Sequence, residues 1–193
     1  MRALILSLLF LTACGYRLAT PGLAHSYPKI AVPFVKGDTS GLLTDYLTRE
    51  LQMRGRFDTG NARYILQAQI VRNDKEAIGW RYDREELSDE RIQRLMPVES
   101  KRDMIVEVSL LDTYTNTLVY GPSKVHSRID YDYVNFDTIS ELRFTPPGGA
   151  RTSTLAFSLG QLDAIEGAET AALDPLYRQL AYLIAEGLDA CSL

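Results

Sequence analysis

Apolar residues along this chain switch between two periods, and the switches mark its elements. From Pro28 to Val35 they run almost continuously (Ile30, Ala31, Val32, Phe34, Val35), bounded by proline and by Lys36-Gly37-Asp38, the pattern of a buried first strand. Pro33 lies inside it and cannot donate to a ladder, so the strand should have a free edge or a bulge there. Leu42, Leu43, Tyr46, Leu47 and Leu51 then recur at helical spacing, with Asp38, Thr39 or Ser40 placed to cap the helix and Gly55 to end it. Asp45, Arg49, Glu50 and Arg54 lie largely off that stripe, so this helix buries one face. Tyr64 to Val71 alternates at period two, and the strand can continue through Ile78, Trp80 and Tyr82. Met104, Val106, Val108 and Leu110 define one face of a further strand. Asp112-Thr113-Tyr114-Thr115-Asn116-Thr117 is a hairpin turn that returns through Leu118-Val119-Tyr120. After Gly121-Pro122, Val125, Ile129, Tyr131 and Tyr133 alternate with Lys124, His126, Arg128, Asp130 and Asp132, a strand with a charged outer face.

Two stretches break the pattern. Asp83 to Arg102 carries dense charge (Arg84, Glu85, Glu86, Asp89, Glu90, Arg91, Arg94) around few apolar anchors, which predicts a long excursion or short helix between strands. Asn135 to Thr152, with Thr145-Pro146-Pro147-Gly148-Gly149, predicts a loop, and Leu155, Phe157 and Leu159 a short strand after it. Asp174-Pro175 supplies a cap and a first-turn proline for a helix carrying Leu176, Tyr177, Leu180, Leu183, Ile184 and Leu188. Residues 163–172 form either a preceding helix or an extension of this one across a kink. Together these elements predict an α+β fold: a two-layer α/β sandwich, a mixed sheet of about four to six strands with two main helices on one face. Residues 28–193 form a single α/β domain.

The N-terminus is of another kind. Arg2 precedes an apolar run from Ala3 to Phe10, then small residues, the layout of a secretory leader. The run to Ala13 is well short of the roughly 20 residues a membrane-spanning helix needs. Leu11-Thr12-Ala13-Cys14-Gly15 resembles the lipobox of bacterial lipoproteins, whose cysteine is acylated before the leader is removed. The resemblance implies a leader over 1–13, lipid attachment at Cys14, and a tether over 14–27, rich in glycine, proline and small residues. Gly15 stands where an aspartate commonly retains such proteins in the inner membrane, which favours the outer membrane and its periplasmic side.

Composition narrows the function. The formal net charge is −4, and the leader contributes one of the basic residues and none of the acidic ones. Nucleic acid is therefore not an expected partner, since such binding rests on a concentrated basic face. With Cys14 assigned, Cys191 stands alone and no intramolecular disulfide is expected. No nucleophile elbow, zinc-binding, phosphate-loop or dinucleotide motif is present, and His25 and His126 share no context. Asp130-Tyr131-Asp132 does not open a calcium loop, because the sixth position is Asn135 rather than glycine. The chain is therefore expected to have no catalytic residues, metal or cofactor. Tyr82 and Tyr114 are candidate outward-facing interface anchors.

Several of these segments together resemble the outer-membrane LPS-assembly lipoprotein family (LptE-like). They are Cys14-Gly15-Tyr16-Arg17-Leu18, the strand Lys29-Ile30-Ala31-Val32-Pro33-Phe34, and the helix with Leu47-Thr48-Arg49-Glu50-Leu51. Val106-Glu107-Val108-Ser109-Leu110-Leu111-Asp112 with its turn and Leu118-Val119-Tyr120, and the leucine-rich C-terminal helix, complete the likeness. The resemblance implies a two-layer fold that plugs a β-barrel translocon, aids its folding, and helps deliver lipopolysaccharide to the outer leaflet. A plug needs polar faces against a polar lumen, which the strand with Lys124, His126, Arg128, Asp130 and Asp132 offers. Lipopolysaccharide phosphates suit arginine and lysine, making Arg81, Arg84, Arg91, Arg94, Lys101 and Arg102 the candidate contacts, against a solvated, locally neutralised loop. The charged 83–102 excursion and the 134–172 insertion depart from the family pattern. A different periplasmic lipoprotein module, such as a cell-wall synthase activator or a secretion-pore subunit, shares the first-strand motif. A hydrolase is the third reading and lacks a nucleophile–base pairing.

Overall fold

The computed structural model describes residues 27–85, 88, 90–138, 143–150, 152–153 and 164–191. Its elements are β1 (Ile30–Ala31), α1 (Leu42–Met53), β2 (Tyr64–Arg84), β3 (Arg91–Asp112), β4 (Thr117–Asp132), β5 (Arg143–Phe144), β6 (Thr152–Ser153) and α2 (Ile165–Ala190). The main sheet has the order β1-β2-β3-β4, with β1 parallel to β2 and the other pairs antiparallel, and β5 and β6 form a separate ribbon. This is the expected α+β fold. Both helices contribute to one core with a single face of the sheet: Leu43, Leu47 and Leu51 of α1 and Leu176, Leu180, Ile184 and Leu188 of α2 meet Leu66, Met104, Val106, Val108 and Leu110. Period-two alternation puts these strand residues on the inner face and leaves the odd positions outside.

Cap chemistry explains where α1 starts. Gly41 is the N-cap by backbone geometry, but the capping carboxylate comes from buried Asp38. It accepts hydrogen bonds from the Gly41 and Thr44 amides at 3.0 and 2.9 Å and from the Thr44 hydroxyl at 3.0 Å. Orphan helix donors are thus satisfied by an anion at the positive end of the helix.

Four expectations are corrected. First, the charged stretch from Asp83 to Arg102 is not an excursion or helix but the end of a hairpin: β2 runs on to Arg84 and β3 restarts at Arg91. No helix among the described residues covers this end, so no apolar alternation marks it, and backbone pairing sustains the strands. Second, of the two arrangements open for residues 163–172 the extension holds: α2 is continuous through Pro175, so Asp174-Pro175 does not open a helix. The proline and Ala171, whose carbonyl it leaves without a donor, sit on the exposed side. Third, β1 is two residues long, since the chain leaves the ladder before Pro33 and touches β2 again only at Lys36–Gln69. Fourth, the expected loop over Asn135–Thr152 contains β5 and the first residue of β6. The expected strand at Leu155–Leu159 lies outside the described residues.

The hairpin is pinned to the helix layer by one carboxylate. Glu169 of α2 accepts from Lys75 of β2 at 2.6 Å and from Arg102 of β3 at 2.5 Å. The Lys75 hydrogen bond above all, with the charges of Lys75 and Arg102, holds Glu169 below the usual glutamate range, against partial burial that pushes it up. A lowered folded-state value means that stabilisation is complete above the free glutamate value and lost as pH falls through the folded one. The melting-temperature advantage of the wild type over Glu169→Gln is therefore expected to be full near neutrality and to close as pH falls below about 4. A constant gap over that range in calorimetry would remove the pin from the account of stability.

Candidate functional site

The six candidate contact cations do not form one cluster. Arg81, Arg84 and Arg91 line a groove of about 760 Å³ at the end of the hairpin, with Trp80, Tyr82 and, from the β5 side, Arg143 and Phe144. The Arg91 guanidinium lies 3.6 Å from the centroid of the Tyr82 ring, a cation–π contact that holds the charge at the rim. Trp80 is 55% exposed. Arg94 is committed elsewhere, pairing at 2.6 Å with buried Asp83 and donating to the Asp137 carbonyl at 2.5 Å. Lys101 and Arg102 are consecutive in a strand and point to opposite faces. Lys101 pairs with Glu76 at 2.9 Å outside, while Arg102 faces inward on Glu169 and, at 2.7 Å, Asn73. The groove thus keeps three of the six and adds Arg143, which no sequence signal joined to Arg91. Arg143 lies in a segment of loop composition, and the fold alone brings it there.

The charged face of β4 is as expected in geometry. Lys124, His126, Arg128, Asp130 and Asp132 are all exposed and share the outer side of the sheet. Their register partners on β3 are Glu107, Ile105, Asp103, Lys101 and Glu99. Ion pairs tie the middle of this face together: His126 Nε2 to Asp103 at 2.6 Å, Arg128 to Asp130 at 3.4 Å, and Arg72 to Asp74 at 2.5 Å. The His126 hydrogen bond is the main cause that holds the Asp103 carboxyl below its ordinary value. Tyr82 and Tyr114 are both exposed, Tyr114 at the β3–β4 turn.

Among the described residues, no three histidine, cysteine or acidic side chains gather as a metal site would require. No helix among them is long and apolar enough to cross a membrane. Cys191 is a free thiol whose Sγ donates to the Gly187 carbonyl at 3.3 Å, which ties it to the end of α2. Cys14 and His25 lie outside the described residues.

No family model matches the chain, and no curated protein matches its sequence. Solved structures with a similar chain course include a minor lipoprotein from Acinetobacter baumannii, at 14% identity and TM-score 0.49 over 85% of this chain and 92% of that one. A Caulobacter crescentus chain classed with the lipoproteins follows at 16% identity and TM-score 0.47, over 82% and 86% of the two chains. Rare lipoprotein B from Shewanella oneidensis stands at 13% identity and TM-score 0.42, over 84% and 94%.

Proposed function

We propose that this chain is a lipid-anchored protein of the outer membrane, facing the periplasm, that serves a β-barrel translocon as plug and assembly partner in delivering lipopolysaccharide to the outer leaflet. It is not an enzyme in this reading and needs no cofactor. The observation that carries it is the outer face of the sheet, which no helix among the described residues covers and which Lys124, His126, Arg128, Asp130 and Asp132 charge along the second half of β4. Such a face suits a polar barrel lumen and would be rejected by an apolar partner surface. The leader and Cys14 supply the anchor. The hairpin groove supplies what phosphates need, guanidinium groups able to make charge-assisted hydrogen bonds, next to aromatic surface.

Affinity recovery of the lipidated protein from gently solubilised outer membranes tests the partner. A large β-barrel retained near one-to-one supports the reading; a cell-wall synthase, a secretion pore or self-association in its place overturns it. Within the groove, Arg84→Glu combined with Arg91→Glu is expected to weaken lipopolysaccharide binding tenfold or more, since a hydrogen bond to a charged group contributes about 1.5–3 kcal/mol. Lys101→Glu, outside the groove and paired to Glu76, is expected to leave it unchanged. Equal effects from both variants would show a diffuse charge response and remove the groove as the site.

A further inference from the structure

The outer face of the sheet has two chemically different halves. Above Ile70 most of its charges are spent on one another through Arg72–Asp74, Lys101–Glu76, His126–Asp103 and Arg128–Asp130. Below Ile70, where β1 swings away from β2, the same face holds a groove of about 330 Å³ lined by Phe34, Lys36, Gln67, Gln69, Glu107 and Ser109. Among the described residues none of these five polar side chains takes a hydrogen-bond or ion-pair partner. Gln67 lies opposite Ser109, and Gln69 opposite Glu107. The four therefore form a grid about 5 Å across the strands and about 7 Å along them. Phe34 is 64% exposed and walls one side.

From this we infer that the groove binds a neutral pyranose sugar unit. The two amides each present a donor and an acceptor in one plane, and with a hydroxyl and a carboxylate they match neighbouring sugar hydroxyls, which both donate and accept. Lys36 and Glu107 cancel in charge, and no arginine enters, so the site has no preference for an anion. The ring of Phe34 offers a flat apolar surface to the C–H face of a pyranose. The volume sits at the low end for ligand clefts, about 300–1,000 Å³, room for one or two sugar rings. This groove is separate from the hairpin groove, and the inference does not depend on the function proposed above.

The test is a two-dimensional amide NMR titration of the full domain, in which the side-chain NH₂ signals of Gln67 and Gln69 report contact directly. Maltose and chitobiose, the disaccharide of N-acetylglucosamine, at millimolar concentration are expected to shift both signals saturably. Phe34→Ala should weaken that binding about tenfold, and Gln67→Ala with Gln69→Ala should abolish it, read in that variant from the backbone amides of Glu107 and Ser109. All three positions are exposed or on the solvent face, so the variants keep their fold, which the remaining spectrum verifies. Octyl glucoside below its micelle concentration separates a free sugar from a lipid-borne one. Equal response to octyl glucoside and maltose supports recognition of the sugar itself, whereas response to the glucoside alone is alkyl-chain binding and overturns the inference. Absence of shifts with every sugar overturns it too, as does an extended peptide that moves Gln67 and Gln69 while sugars do not. Loss of the sugar site leaves co-purification with a barrel untouched, so the two readings fail separately.

Discussion

With Cys14 replaced by serine behind a leader that is cleaved without acylation, and with the protein expressed in excess over its barrel partner, it is expected to move almost wholly from the membrane pellet to the soluble periplasmic fraction while its circular dichroism spectrum is unchanged. Serine keeps the size of the side chain and removes the sulfur nucleophile on which acylation depends. The magnitude follows from the chains that are lost. Each buried methylene contributes about 0.8 kcal/mol, one acyl chain alone gives an association constant of only about 10⁴ M⁻¹, and stable anchoring takes a second signal. A mature lipoprotein carries several chains, so the difference between the two forms is all or nothing in a fractionation. Nothing in the described residues replaces them, because no helix there can cross a bilayer. The mass of the N-terminal peptide is the direct readout: wild type should carry acyl chains on Cys14, and the variant none. A variant that stays in the pellet at high salt would contradict the lipid-anchor reading, since salt strips proteins held by charge.

The second large effect is on stability, at Gly121. Its φ is +83°, a region that costs an L residue about 1–2 kcal/mol. A Cβ there would lie 2.4 Å from the Val108 carbonyl oxygen and 2.9 Å from the Ser109 Cα, both backbone atoms of the neighbouring strand that cannot rotate away. Overpacking of this kind adds about 1–3 kcal/mol. Gly121→Ala is therefore expected to cost about 3 kcal/mol, or roughly 10 °C in melting temperature for a domain of this size. Gly148 provides the control. It has a similar φ of +74° with nothing within 4 Å of its Cβ, so Gly148→Ala should show the conformational cost alone, about 1 kcal/mol. Equal shifts for the two variants would mean that the β3–β4 ladder yields at Gly121.

What could be read in the sequence is what burial writes there. Leu66, Met104, Val106, Val108 and Leu110 alternate because one side of their strands faces the helices, and Leu43, Leu47 and Leu51 repeat at helical spacing for the same reason. Beyond the helix layer that cause is absent. Asp83 and Arg84 at the end of β2 and Arg91 to Arg94 at the start of β3 are strand without an apolar face, so their composition imitates a loop. The error carried into the site: on a strand, Lys101 and Arg102 must point to opposite sides, and grouping them required not seeing the strand. The continuity of α2 was hidden by a proline that the helix tolerates because it sits at the exposed side. The placement of Arg143 beside Arg91 has no local signal at all, because it arises from the packing of a short ribbon against a distant hairpin. The exposed face of β4 was legible because its alternation continues beside a buried one.

The length of β2 sets a limit on posture. Its 21 residues, at about 3.3 Å each, carry the hairpin groove about 55–65 Å from the base of the sheet. That base is where the chain enters, since the Tyr64 amide donates to the Lys29 carbonyl at 3.1 Å. Between Cys14 and Tyr27 there are 13 residue steps, which span at most about 45 Å when fully stretched. An acylated Cys14 can thus hold the domain upright, with its groove far above the lipid, or let it lie flat. It cannot hold the domain standing on its tip. On the lipid-anchor reading, whatever the arginines at that tip meet while the molecule stands is something other than the bilayer that holds the anchor.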